Sequence, residues 1–101
     1  MRTRKLRGKL GQVGGYTIDD EGNVYRDGVM RKHFVNRRVN RKVVVLRFNN
    51  KSITKDVARL MLMTWKAGQG SGPVRFLDGD TMNCRLDNLD WRFDRDGKKK
   101  E

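Results

Sequence analysis

The sequence is short of the residues from which small proteins build covalent or metal staples. It has one cysteine, Cys84, and one histidine, His33, in 101 residues. A single thiol excludes an internal disulfide, and one thiol with one imidazole cannot complete a Cys/His zinc site. Cys84 is therefore expected as a packed thiol and His33 as a surface or strand residue. Long apolar runs are absent too: nothing approaches the ~18 residues of a spanning helix, and the basic N-terminus lacks the apolar stretch of a signal peptide. That pattern excludes a membrane role and leads to the expectation of a cytoplasmic protein, with no cofactor and no bound metal. Acidic residues are scarce, 12 against 24 Lys and Arg, for a formal net charge of +12. A small domain stays soluble with a charge of a few units, so this excess points to a polyanionic partner.

What the chain does contain is arranged as short strands around one helix. At this length it forms one domain, which buries about two-thirds of its unfolded surface at best. Residues 1–14 carry Arg2, Arg4, Lys5, Arg7 and Lys9 with no acid and little apolar periodicity, which predicts a basic flexible arm. Tyr16 to Ile18 and Val24 to Tyr25 read as strands, broken by turns at Asp19 to Gly22 and at Asp27-Gly28. Residues 19–27 hold four acids against one base, a patch expected to face away from nucleic acid. From Arg31 to Phe48 there is no acid at all, and Arg31, Lys32, Arg37, Arg38, Arg41, Lys42 and Arg47 fall among strand formers. Val44, Leu46 and Phe48 alternate with Val43, Val45 and Arg47, so the first set is expected to pack inward. These seven cations, with Arg4, Lys5 and Arg7 of the arm, are the candidate DNA contacts; the hairpin's guanidinium forks and amides suit phosphates and base edges.

Asn49-Asn50 predicts a two-residue hairpin turn. Thr54 is expected to cap a helix running to about Lys66, whose apolar face holds Val57, Leu60, Met61, Thr64 and Trp65. Gly68 ends it, and Gln69 to Pro73 is expected as a flexible connector and hinge. Val74 to Arg92 then reads as a β-turn-β unit with its turn at Asp78-Gly79-Asp80. Residues 94–101 are expected as a disordered basic tail, with Lys98 to Lys100 adding loose phosphate contacts.

Two features of Val74 to Arg92 carry a family resemblance: a strand closing in an Asp-Gly turn, and the run Asn88, Leu89, Asp90, Trp91. With Val74, Asp78, Gly79 and Asn83 this resembles the phage-type HNH homing endonucleases. Upstream, Val57 to Met61 and Tyr16 to Tyr25 resemble the same family, so the likeness covers most of the chain after Gly14. It implies an α+β fold over residues 15–93: a small antiparallel sheet with one core helix, followed by a truncated HNH-like β-turn-β unit. It also implies a phage origin and the host cytoplasm as location.

The same resemblance marks departures at the positions of the nuclease site. The family's histidines are replaced by Phe76 and Ala58, a metal-binding neighbour by Arg75, and the chain ends at Glu101, ahead of the family's last helix. Of that site only Asn88 matches. An HNH site needs a general base and one divalent metal, so these replacements lead to the expectation of a DNA-binding protein that is not an enzyme, acting in regulation, protection of DNA or modulation of a host DNA enzyme. Double-stranded DNA is the expected partner. The alternatives are an inhibitor or adaptor that binds a host polymerase or nuclease, a nicking enzyme using Asp78, Asp80, Asn83 and Asn88 around a metal, and an RNA binder, for which an aromatic content of 8% is low. The oligomeric state is open, since no heptad or apolar seam is present.

Overall fold

A computed structural model of the chain describes residues 2–99. They form an α+β fold of three small antiparallel sheets arranged about one helix, α2 (Val57–Trp65). The first sheet takes β1 (Thr3–Lys5), β2 (Tyr16–Asp19), β3 (Val24–Arg26) and β4 (Val29–Met30) in chain order. The second takes β5 (His33–Asn36), β6 (Arg41–Phe48) and β7 (Lys51–Asp56). The third pairs β8 (Ser71–Phe76) with β9 (Leu89–Phe93). A four-residue helix, α1 (Lys9–Gln12), follows β1, and a 3₁₀ turn, Leu86–Asn88, leads into β9.

The helix is the hub because its apolar residues recur at helical spacing and meet all three sheets. Val57, Ala58, Met61, Leu62 and Trp65 are buried against Ile18, Val44, Leu46, Val74, Leu89 and Trp91. Alternation in β6 puts Val44 and Leu46 inward, and both are fully buried. Asn49 and Asn50 make the β6–β7 turn with φ of +52° and +60°, the left-handed pair that a two-residue hairpin requires. Among the described residues, no helix is long and apolar enough to cross a membrane.

Several segments differ from the expectation. The basic N-terminal stretch is tied down: Thr3, Arg4 and Lys5 pair with Asp19, Ile18 and Thr17, and Leu6 is buried in the core. Backbone pairing holds it, which leaves no apolar alternation in its side chains. Thr54 does not cap the helix. It lies in β7 opposite Val45, and Asp56 precedes the first helical residue, so strand runs into helix with no loop between them. The expected hinge is packed: a Cβ on Gly70 would meet Phe93 O at 2.5 Å and Trp91 Cβ at 2.6 Å, and one on Gly72 would meet the Phe93 ring at 2.4 Å. Both glycines are there for close approach. The start of the tail turns back, with Asp94 Oδ1 accepting from the backbone N–H of Asp96 and Lys98 and a bridge from Phe93 to Lys99. Lys100, an expected phosphate contact, lies outside the described residues.

Candidate nucleic-acid interface

The basic hairpin is built by β5 and β6, with Asn36 opposite Arg41 at its end. Its turn is shaped by side-chain and backbone preferences of asparagine. Asn36 Oδ1 accepts from Arg38 N–H at 3.2 Å, and Asn40 holds φ of +51°. Lys32, Arg37, Arg38 and Arg47 are exposed, and Arg31 and Lys42 are half-buried. Arg47 is anchored through its backbone, which exchanges hydrogen bonds with the buried Tyr16 hydroxyl at 2.8 and 3.2 Å. His33 faces Val44 from β5, and its burial, then the charge of Lys42, lower its pKa, keeping the ring neutral near pH 7.

Arg41 behaves differently from its neighbours. Its guanidinium pairs with the Asp56 carboxylate and stacks 4.8 Å from the Phe76 ring centroid. Burial raises the Asp56 pKa, and Arg41 opposes that shift. Arg41 thus links β6, the end of β7 and β8, with its charge already matched.

A second brace joins the hairpin end to the loop after β8. Asn40 Nδ2 donates to Thr81 Oγ1 at 3.2 Å, and the Thr81 hydroxyl donates to Asn40 O at 2.6 Å. The loop itself is knitted by Asn88, which is buried: its Oδ1 accepts from Asp78 N–H and its Nδ2 donates to Asn83 O, each at 2.9 Å. Asp78 Oδ2 accepts from Asn83 Nδ2 at 2.9 Å, and Oδ1 from Asp80 N–H at 2.8 Å. Those bonds, the one from Asn83 first, hold the exposed Asp78 carboxyl below its usual range. Among the described residues, no three His, Cys, Asp or Glu stand together as a metal site.

The structure therefore brings Arg37 and Arg38 onto the same braced region as the Asp78 to Asn88 loop. It sets the other positions apart. Ala58 is fully buried in α2, Arg75 is half-buried opposite Asp90, and Phe76 is half-buried beneath Arg41. On the first sheet, Arg4 stacks 4.7 Å and Arg2 5.1 Å from the Trp65 ring centroid, while Lys5 and Arg7 are exposed. The acidic stretch is not an open patch. Asp19 is fully buried, Asp20 pairs with Arg2 at 3.5 Å, and Glu21 lies 3.7 Å from Arg85. Thr81 and Asp56 had no sequence signal as parts of this region, since each reaches its partner across a long stretch of chain.

Comparison with known proteins places this arrangement. A solved structure described as DNA binding and cleavage by the HNH homing endonuclease I-HmuI shares the fold with a TM-score of 0.74 and 25% sequence identity, over 90% of this chain and 52% of that one. The chain thus spans about half the length of the endonuclease it matches. No family model and no curated protein matches it. The likeness overturns the expectation that the chain is not an enzyme: its structural neighbour is one, and replacements at positions 58, 75 and 76 are no evidence of lost activity. The three small sheets around α2 form an HNH-endonuclease-like fold.

Proposed function

We propose that this chain binds duplex DNA through the β5–β6 hairpin of an HNH-endonuclease-like domain. The observation that carries the reading is the exposed set Lys32, Arg37 and Arg38 on the β5–β6 hairpin, with Arg47 exposed further along β6, in a stretch with no acidic residue. Arg31 and Lys42 flank it, and the DNA named for the structural neighbour supports the same partner. Arg41 acts as a brace, and Lys5 at the edge of the first sheet and Arg7 beyond it are further exposed cations.

Anisotropy of a labelled mixed-sequence duplex at about 50 and 200 mM salt tests this. If about six phosphates are neutralised, log affinity falls with log salt at a slope near −5, roughly a thousandfold across that range. Replacing Arg37 and Arg38 with Ala should lower the magnitude of the slope by about 2. Absent or salt-insensitive binding would sink the proposal. A denaturing gel of the same duplex in Mg²⁺ reads strand scission directly.

A further inference from the structure

Five of the seven large apolar side chains exposed among the described residues fall between Val29 and Val39. Three of them belong to the basic hairpin. Phe34 and Val35 are neighbours in β5, so their side chains point to opposite faces of the ribbon. Both are nonetheless exposed, at 46% and 47%, and Val39 in the turn is 56% exposed. The outer hairpin is thus a two-stranded ribbon open on both faces, with apolar groups set among cations. Exposed apolar groups clustered in this way mark a contact surface.

The occupant follows from the charge. No acidic residue lies between Asp27 and Asp56. A second copy would bring the same cations against Lys32, Arg37 and Arg38, and like charges disfavour that pairing. Duplex DNA offers anionic rails with apolar groups between them, the C5 methyls of thymine. These line the major groove, which admits a two-stranded ribbon. The hairpin amides are poorly placed to compete as readers. Bidentate recognition of adenine needs both amide atoms, whereas Asn36 Oδ1 holds the turn and Asn40 Nδ2 holds Thr81.

We propose that Phe34, on the outer face of the ribbon, and Val39, in its turn, read thymine methyl groups in the major groove while Lys32, Arg37 and Arg38 hold the flanking phosphates. This rests on the DNA-binding reading above and adds the specificity determinants. The test compares an A·T-rich duplex with its counterpart carrying uracil for thymine, which keeps the base pairs and phosphates and removes the methyls. Affinity should drop roughly fourfold per contacted methyl, the fold-change of exposing about one CH₂. The salt slope should stay the same. Phe34→Ser and Val39→Ser should bind the thymine duplex more weakly and no longer distinguish the two duplexes. Val39 sits in an exposed turn, so its variant remains informative if Phe34→Ser fails to fold. Equal affinity of the unaltered protein for both duplexes, with a steep salt slope, overturns the methyl reading and leaves DNA binding standing. A self-associated protein that loses its dimer in Phe34→Ser also overturns it. Failure to bind either duplex instead removes the DNA-binding proposal beneath it.

Discussion

The residue on which the first sheet depends most is Asp19. Its fully buried carboxylate accepts four hydrogen bonds: from the N–H of Glu21 and Asn23, each at 2.9 Å, from Asn23 Nδ2 at 3.1 Å and from the Tyr25 hydroxyl at 2.8 Å. Burial is the largest single influence and raises the pKa, but the bonds led by Asn23 N–H outweigh it, and the pKa lies below the ordinary 3.8. A carboxyl with a lowered folded pKa stabilises the fold above its unfolded value and loses that contribution as pH falls through the folded one. Urea unfolding should therefore show stability declining as pH drops below about 3.8, and Asp19→Asn should flatten part of the decline while costing about 2–3 kcal/mol at pH 7. The other titratable group to watch is Cys84. Burial pushes its thiol up to about 11, so the thiolate is scarce at pH 8. A disulfide-exchange reagent should label it at a rate that follows unfolding, and fast labelling of the folded protein would contradict its placement in the core.

At the scale of elements, the β6–β7 hairpin was legible from its sequence because every signal in it is local. Val44 and Leu46 alternate, and two asparagines supply the turn. That turn yields a prediction: Asn50→Gly should stabilise by about 0.5 kcal/mol, and the double replacement of Asn49 and Asn50 by Ala should cost about 2 kcal/mol or more, both read from urea midpoints. The elements that were not legible are those made by distant partners. Thr3 to Lys5 has three polar side chains in a row, and its strand exists because β2 offers an unpaired edge. The Gln69 to Pro73 stretch has the composition of a hinge, yet Trp91 and Phe93 close over its glycines. In the candidate interface, a basic residue's charge shows that it wants an anion but not which one. Arg41 finds Asp56 while Arg37 and Arg38 stay open. The Thr81 brace was equally hidden, and it can be probed separately. Thr81→Val keeps the shape and removes both hydrogen bonds to Asn40, so amide exchange at 37–40 should speed up and DNA affinity should fall with the salt slope unchanged. Thr81→Ser should restore both.

For the whole molecule, the charge of +12 sets folding and binding against each other in their response to salt. The free protein carries net self-repulsion that only a few ion pairs offset, and those among the described residues are mostly at the surface, where each contributes about 1 kcal/mol or less. Added salt screens the repulsion, so Tm of the free protein should rise as NaCl goes from about 20 to 300 mM, a range over which the screening length shrinks several-fold. DNA affinity should fall over the same range. A duplex present at a hundredfold excess over Kd should stabilise the fold by about 2.7 kcal/mol at low salt, raising Tm by roughly 10 °C or more for a domain of this size. The two effects have opposite salt dependence, so the Tm curves with and without DNA should converge as salt increases. A DNA-induced shift that persists undiminished at 300 mM would mean that the contact is not made through phosphates, and the basic hairpin would lose its assigned role.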